Sequence, residues 1–387
     1  MMRGLVEEAA DHSVIRTVGA GESHRDLRLD ACRGLALWFI FIDHIPDNAL
    51  SWLSLRNYGF SDASEVFVFV SGYTCMLAYG GALRDQGWRT TGVRVARRAW
   101  EIYAAFLVLL IAYAGLVWAA GGGIRYLDET NTGFFFREPG PAVIHAILLQ
   151  FAPVNTDILQ TFVLLHLSFP LFLWLMMRST ALTLCLSFLL YLMVQLFDWH
   201  LPAWPGGELY FNPFAWQFLF AIGCWYAYEG RARLKPILQS NACLVIAIAY
   251  LIFSLIVALS WEYKSLGEII PTAVTNLIYP IYKSHLAPVR LLHFLSLALL
   301  VSRLTPPDWH GPIKPLMTAM IRCGENSLQI YCLGVLLAFI GQVILIDVSG
   351  ALLMQAAVSL AGLAILVGVA TLLTWEAQLD RRGPRLF

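Results

Sequence analysis

Long apolar runs separated by short polar segments account for most of the chain. A helix needs about 20 apolar residues to cross a bilayer, and this length predicts about ten membrane-spanning helices. The predicted spans are 32–53, 64–83, 99–120, 158–177, 180–197, 212–229, 240–260, 287–303, 324–346 and 350–374. The apolar segment 141–152 is too short to cross, so we expect it to lie in the interface or to re-enter. The pattern therefore predicts an all-α integral membrane protein.

Composition supports this prediction. The 387 residues are 58% hydrophobic and only 13% charged, which excludes an ordinary soluble domain. The formal net charge of zero gives no reason to expect a nucleic-acid partner. The chain has no CxxC pair, HExxH, GxSxG or P-loop motif, so no metal site and no protease, serine hydrolase or ATPase is predicted.

The positions of lysine and arginine predict the orientation in the bilayer. Most of the 26 cationic residues fall in the N-terminal region and in every second loop, which predicts that both termini are cytoplasmic. We expect a disordered cytoplasmic tail at 1–26, one transmembrane domain at 27–376 and a second cytoplasmic tail at 377–387. The cations predicted on the opposite side are Arg56, Arg125, Arg137, Lys264, Lys283 and Arg290.

The first predicted span contains ionisable residues that a simple membrane anchor would lack. Arg33 lies near its start, and the pair Asp43-His44 interrupts its apolar run. Such groups are costly at membrane depth and mark functional sites. Arg33 and His44 are about three helical turns, or about 16 Å, apart and share one helix face. This spacing suits a long anionic donor that enters from the cytoplasm and brings its reactive end to His44.

His44 is the candidate general base, because imidazole exchanges a proton near neutral pH. Asp43 is adjacent in sequence and points about 100° away on a regular helix, so the acid that orients His44 is left open. Glu65 at the start of the second span is one candidate and Asp62 is another. The alternative is that His44 is only a hydrogen-bonded packing residue.

Residues near the predicted cytoplasmic side are candidates for donor binding. Ser71 could contact a thioester or bond back to its own helix, and Gly72 could allow close helix approach. Arg94, Arg97 and Arg98 have helical spacing and could bind donor phosphates. The alternative for these arginines is topology and contact with anionic lipid headgroups.

Polar residues before three later spans are predicted on the same side as the far end of the first span. Together they could hold a hydroxylated acceptor, with Lys283 or Arg290 near an acyl carboxylate, although each alone could be a helix cap or interfacial anchor. They are Asn155, Asp157, Asn212, Trp216, Gln217, Lys283, His285 and Arg290. The aromatic loops on this side are either an interfacial belt or a platform for sugar rings.

The motifs in this chain resemble those of a known family. RLDACRGLALWFIFIDHIPDN and LRNYGFSDASEVFVFVSGY, followed by APVNTDILQTFVLLHL and FNPFAWQFLFAIG, resemble the OpgC branch of the membrane-bound acyltransferase type 3 superfamily. So do SHLAPVRLLHFLSLA and GENSLQIYCLGVLLAF. The superfamily pattern of an arginine followed after ten residues by histidine matches Arg33 and His44. The resemblance covers about Leu27 to Thr374.

This resemblance implies a bacterial inner-membrane enzyme that transfers acyl groups from cytoplasmic acyl-CoA to hydroxyls of extracytoplasmic glycans. The OpgC branch is associated with succinylation of osmoregulated periplasmic glucans, so succinyl-CoA is the expected co-substrate, with no permanently bound cofactor. The resemblance makes His44 the catalytic residue and Arg33 a donor-phosphate or structural contact. The Asp43-His44 pair is typical of the branch and not of the wider superfamily.

Two other functions stay open at this point. One is acetylation of a different envelope polysaccharide or lipid-linked sugar. The other is a proton-coupled transporter, because buried His, Asp and Glu also form proton relays. Transporters often contain inverted repeats, and the Arg33–His44 pattern has no second copy in the chain.

Overall fold

A computed structural model describes residues 26–121, 124–305 and 314–382. Among these residues the structure is helical apart from loops and one isolated antiparallel bridge between Pro202 and Glu208. The predicted N-terminal tail lies outside the described residues except for Asp26. Of the predicted C-terminal tail, residues up to Arg382 continue the last helix, and 383–387 lie outside the described residues.

The helices follow one another in this order: α1 (Leu27–Asp43), α2 (Ala63–Ala119), α3 (Ile124–Glu129), α4 (Gly133–Arg137), α5 (Pro139–Ile147), α6 (Asp157–Arg178), α7 (Thr180–Phe197), α8 (Pro213–Trp225), α9 (Arg231–Arg233), α10 (Lys235–Leu238), α11 (Asn241–Glu262), α12 (Lys264–Gly267), α13 (Thr272–Ile278), α14 (Pro288–Leu304), α15 (Lys314–Glu325), α16 (Ser327–Asp347) and α17 (Leu352–Arg382). Two 3₁₀ turns, Ala49–Leu53 and Leu55–Asn57, follow α1, and a π-helical turn, Tyr226–Gly230, follows α8.

Six helices of the described chain are long and apolar enough to cross a membrane. They are α2, α6, α7, α11, α16 and α17. This result supports a multi-pass, all-α membrane protein. The count of about ten spans and the orientation stay predictions.

The first helix differs from the predicted span 32–53. It begins five residues earlier, because the Asp26 side chain caps its N-terminus by accepting from the backbone N–H of Arg28. It ends at Asp43, where Pro46 prevents continuation of the helix and Asp47 takes a positive φ of 53°. The two 3₁₀ turns then carry the chain to α2. His44 therefore lies at the C-cap of a helix and not within one.

The second and third predicted spans are two arms of one element. Helix α2 has 57 residues and includes the arginine-rich segment that hydropathy assigned to a loop. Its helical geometry is interrupted at Gly87, with φ 76° and ψ 176°, a backbone conformation that glycine adopts without steric cost. The predicted span 324–346 is also interrupted, because α15 ends at Glu325 and α16 begins at Ser327.

Close packing at Gly72 joins the first arm of α2 to α8. A Cβ atom at Gly72 would lie 2.1 Å from the backbone oxygen of Phe220, so only glycine permits this approach. The Cys224 thiol contacts the Gly72 carbonyl at 3.2 Å. The interpretation of Gly72 as a site of close helix approach agrees with this contact. The buried core around it includes Trp216, Phe220 and Phe106.

Candidate functional site

A cavity of about 1030 Å³ opens where α1 ends and where α2 and α6 begin; we call it the larger cavity. Loops before α8 and α14 complete its wall. Its ionisable lining residues are Asp43, His44, Arg56, Asp62, Asp157, Glu208, Lys283 and Arg290. The structure therefore brings together polar residues from five separate parts of the sequence.

His44 lines the larger cavity with its imidazole only partly exposed. Its backbone N–H donates to the Ile40 carbonyl at 3.0 Å and closes the last turn of α1. Its Nδ1 atom is buried and has no hydrogen-bond partner among the described residues. Buried polar atoms are normally paired, and exceptions occur at functional sites. This nitrogen is the strongest single sign of chemistry in the cavity.

Asp43 lines the same cavity as His44, although the two would diverge on an ideal helix. His44 closes the last turn of α1, and both side chains reach the cavity because it lies around the end of this helix. The Asp43 carboxylate accepts from the Ser54 hydroxyl at 2.6 Å, and its backbone oxygen accepts from Arg56 Nη1 at 3.5 Å. Asp43 is therefore oriented by the segment after α1, and no hydrogen bond joins its side chain to His44.

A network of four charged residues lies beside His44. Lys283 Nζ is 2.7 Å from Asp62, and Arg290 Nη2 is 3.2 Å from Asp62 and 2.7 Å from Glu65. Asp62 caps α2, accepting from the backbone N–H of Ser64, while Glu65 accepts from the backbone N–H of Asp62. These capping hydrogen bonds hold the carboxylates of Asp62 and Glu65 in position to pair with Lys283 and Arg290.

This network gives the Glu65 side chain a partner other than His44. Its side chain is fully buried and bound to Arg290, and within the described residues no hydrogen bond joins it to His44. A buried carboxylate requires a cationic partner, and α14 supplies one. Asp62, the other candidate, is likewise engaged. Burial would raise the pKa of Asp62, but Lys283 and Arg290 hold this pKa well below its usual value.

Burial would lower the pKa of Lys283, but the Asp62 carboxylate keeps this pKa above its usual value. Both members of this ion pair are therefore charged at neutral pH.

Asn155 and Asp157 reach the larger cavity from the start of α6. Asn155 has a positive φ of 68°, which asparagine tolerates better than most residues. Its backbone oxygen accepts from the Tyr331 hydroxyl at 2.5 Å. The predicted grouping of these two residues with the far end of the first helix agrees with the structure.

Trp216, Gln217 and His285 do not line the larger cavity. Trp216 is fully buried and donates to the Ser284 carbonyl, and Gln217 accepts from the Ser187 hydroxyl at 2.6 Å within the helix packing. His285 Nε2 lies 2.9 Å from Glu208. Each of these three polar groups has a hydrogen-bond partner within the protein, and none of the three lies in the lining of the larger cavity.

A second cavity of about 190 Å³, the smaller cavity, lies along α1 and the first arm of α2. Arg33, Ser71, Thr74 and Arg98 are among its lining residues. Arg33 Nη2 donates to the Thr74 hydroxyl at 2.9 Å, and its Nη1 lies 3.7 Å from Asp30. The structure thus places three of the predicted donor-binding residues around one space.

Arg94 and Arg97, the other two predicted donor contacts, lie outside the lining of the smaller cavity. Both are exposed, and Arg97 pairs with Glu101 at 3.3 Å. Arg94 lies one turn before Arg98 on the same helix, yet of the three arginines only Arg98 lines this cavity. The topology and lipid-headgroup interpretation fits Arg94 and Arg97 better.

Tyr331 of α16 lines both cavities and was not predicted. Its ring packs against Phe67 with centroids 6.4 Å apart. A tyrosine within an apolar span is weak evidence for a functional site. Its hydroxyl indicates only that the buried side chain has a polar partner nearby. The sequence carried no indication that the two cavities adjoin.

Arg56 and Trp204 also line the larger cavity without having been predicted there. Arg56 was identifiable only as one of the few cations on the side opposite the basic loops. Trp204 belongs to an aromatic loop and stacks on His145, with centroids 5.1 Å apart and planes 7° apart. At least this loop aromatic faces the cavity and not a surrounding belt.

One group in the described chain could share a metal ion by distance alone: Asp198, His200 and Glu208. Asp198 is mostly exposed, and His200 Nδ1 is already 2.7 Å from the Asp198 backbone oxygen. The cluster explains how the loop before α8 is held, and we assign no ion to it.

Comparison with known proteins gives one family. A family sequence model described as OpgC protein matches residues 25–378, which is most of the chain. No curated protein and no solved structure matches the chain.

Proposed function

The chain belongs to the OpgC family, whose membership suggests an acyltransferase acting on glucans, and we propose a specific reaction for it. The protein is an inner-membrane O-acyltransferase of the acyltransferase type 3 kind. It moves a succinyl group from cytoplasmic succinyl-CoA to a hydroxyl of a periplasmic glucan. Both termini face the cytoplasm in this proposal.

The observation that carries the proposal is the pair of adjoining cavities along α1. Arg33 lines the smaller cavity, His44 lines the larger one, and Tyr331 lines both. Arg33 in α1 and His44 at its C-cap are about 16 Å apart along the helix axis. A donor extended along α1 would therefore have its phosphates near Arg33 and its thioester near His44.

The smaller cavity suits the donor. Arg33 and Arg98 offer guanidinium groups, which bind phosphate oxygens through directed hydrogen bonds. The remaining lining is largely apolar, including Phe67, Leu159 and Phe162, and would enclose the uncharged arm of the donor. A narrow space of this kind excludes water from the thioester path.

His44 carries the chemistry in the larger cavity. Its imidazole takes the proton of a glucan hydroxyl while the hydroxyl oxygen attacks the thioester carbonyl carbon. The carbon–sulfur bond then breaks, an ester remains on the glucan, and the imidazolium returns the proton to the departing CoA thiolate. A transient acyl group on His44 is the alternative course, with the same products.

The larger cavity suits the acceptor. Its lining combines amides, such as Asn57, Asn131 and Gln150, with the ring of Trp204. Amides bind sugar hydroxyls and aromatic faces pack on sugar rings. The cavity is more than five times the volume of the smaller one, as a polymeric acceptor requires.

A two-compartment assay tests this proposal. The purified protein is placed in vesicles with a neutral glucan on one side and succinyl-CoA on the other. We expect glucan molecules heavier by whole succinyl esters, detected by mass spectrometry, and only when the donor is on the side of the protein's termini. Protease accessibility of an N-terminal tag gives that side independently.

Three results would contradict parts of this proposal. If acetyl-CoA gave acetyl esters and succinyl-CoA gave no succinyl esters, the donor would be acetyl-CoA and not succinyl-CoA. If transfer occurred only when both substrates were on the same side of the membrane, the proposal that donor and acceptor bind from opposite sides would be wrong. Glucan flux without acyl-CoA and without ester formation would favour a transporter.

A further inference from the structure

The larger cavity is lined by three cationic side chains, and they differ in whether a carboxylate is paired with them. Lys283 is bound to Asp62, and Arg290 is bound to both Asp62 and Glu65. These two cations neutralise buried carboxylates, so they have little charge left for a ligand. The structure therefore argues against Lys283 or Arg290 as the partner of an acyl carboxylate.

Arg56 is the third cation and is placed differently. It lies in the 3₁₀ turn Leu55–Asn57, is exposed, and lines the cavity. Within the part of the chain that the structure describes, no ion pair includes Arg56. Among the described residues, its side chain has one hydrogen bond, of 3.5 Å, to the backbone oxygen of Asp43.

The position of Arg56 relative to His44 is set by that contact. Arg56 Nη1 reaches residue 43, the residue immediately before His44. A thioester carbon held at the imidazole would have the far end of a short acyl chain only a few ångströms away. The guanidinium thus lies within reach of the terminus of a four-carbon acyl group.

The other charged residues of the larger cavity make the position of Arg56 selective for an anionic acyl terminus. Asp43, Asp62, Asp157 and Glu208 also line it, so carboxylates outnumber cations there. An anionic acyl terminus would be repelled in most of this space. It would be favoured only beside a cation without a carboxylate partner, and a guanidinium can bind a carboxylate through two parallel hydrogen bonds.

We propose that Arg56 determines donor specificity by binding the distal carboxylate of a dicarboxylic acyl group. This inference rests on the proposed acyl transfer and deepens it. It makes the larger cavity selective for succinyl over uncharged acyl groups of the same length. Arg56 takes no part in breaking or forming bonds.

The test compares two donors of equal acyl length that differ in the terminal charge, together with one shorter uncharged donor. Initial rates with succinyl-CoA, butyryl-CoA and acetyl-CoA are measured for the natural protein and for Arg56→Gln and Arg56→Lys. We expect Arg56→Gln to lower kcat/KM for succinyl-CoA about 10- to 100-fold, the worth of a charge-assisted pair. With butyryl-CoA and acetyl-CoA the change should stay within about threefold. Arg56→Lys should recover part of the succinyl-CoA activity.

Arg137→Gln is the matched control. Arg137 is mostly exposed, is absent from the cavity lining and has a loose 3.8 Å contact with Asp128. This variant should keep the natural donor preference.

The outcomes separate this inference from the reaction on which it rests. An equal loss with all three donors after Arg56→Gln would mean that Arg56 only supports the Asp43 backbone, and the inference would be overturned. Unchanged preference for succinyl-CoA would overturn it as well. If the natural protein transfers no acyl group from any donor, the proposed reaction itself fails. If it transfers butyryl as well as succinyl, the reaction stands and selectivity at Arg56 is rejected.

Discussion

The two cavities along α1 differ in size and in chemistry. The smaller one, about 190 Å³, is mostly apolar with two arginines in its lining, whereas the larger one, about 1030 Å³, is lined by eight acidic, basic or histidine residues. Only the larger one contains a buried polar atom without a partner, at His44 Nδ1, within the described chain.

This contrast indicates different tasks for the two spaces. Charge in the smaller cavity is fixed: Arg33 is held by Thr74 and Asp30. In the larger cavity, within the described chain, His44 Nδ1 has no hydrogen-bond partner and Arg56 has no ion pair. Charged side chains that are held by neighbouring residues can bind and orient a ligand. Side chains without such partners are available to react with a substrate or to discriminate between substrates.

His44→Ala should have the largest effect. Loss of a general base typically lowers a rate by about 10²- to 10⁴-fold, and no described side chain replaces the imidazole at Nδ1. Acyl transfer to glucan should fall in that range, while donor binding, measured by equilibrium dialysis of succinyl-CoA, stays within about threefold.

His200→Ala is the control for that change, because His200 is partly exposed and absent from the cavity lining. If His44→Ala transferred acyl groups at the normal rate, the hypothesis that the reaction takes place at His44 in the larger cavity would be wrong. A parallel loss of donor binding would show that His44 is a binding residue only.

Arg290→Met should have the next largest effect, on stability. It leaves the fully buried Glu65 without its cation, and removing one partner of a buried pair costs about 3–5 kcal/mol. Unfolding of the detergent-solubilised protein by denaturant should show this loss in the free energy of unfolding.

A second substitution isolates the cause. Adding Glu65→Leu to Arg290→Met removes the unpaired charge, so part of the lost stability should return. Arg137→Met, which removes an exposed pair, should change the free energy of unfolding by less than about 1 kcal/mol. If the double variant is no more stable than Arg290→Met, the network contributes packing and not charge pairing.

Hydropathy predicted the central part of the fold better than its ends. Helices α6 and α7 lie within a residue or so of their predicted spans. The first helix did not, because Asp26 and Pro46 set its limits, and a hydropathy window does not register caps. The segment joining the arms of α2 was predicted as a loop, since hydropathy reports membrane depth and its arginines are compatible with a helix outside the membrane.

The candidate site was predictable where an ionisable residue interrupts an apolar run. His44 carries that signal, Asp157 and Lys283 come just before apolar runs, and all three line the larger cavity. Arg56 could not be assigned because its position depends on two 3₁₀ turns after α1. Glu65 was associated with His44 by depth alone, and its partner on α14 is 225 residues away in sequence.

Arg33→Gln should have a moderate effect on the smaller cavity. If Arg33 binds a donor phosphate, the KM for succinyl-CoA should rise about tenfold with kcat changed less than about threefold. The effect should disappear with succinyl-pantetheine, which lacks the nucleotide phosphates.

Arg97→Gln is the matched control for the same measurement, because Arg97 is exposed and pairs only with Glu101 in the described chain. An equal loss with both donors after Arg33→Gln would mean that Arg33 holds α1 against Thr74 and binds no phosphate.

Tyr331→Phe should have the smallest effect and tests the boundary between the cavities. The ring fills the shared wall and packs on Phe67, whereas the hydroxyl holds only the backbone oxygen of Asn155. Losing one such hydrogen bond costs about 1 kcal/mol, so glucan acylation should fall about fivefold or less. Hydrolysis of succinyl-CoA by water should not increase, because the ring still separates the narrow cavity from the wide one. Rapid donor hydrolysis in Tyr331→Phe would show instead that the hydroxyl, by fixing the Asn155 loop, keeps water from the thioester.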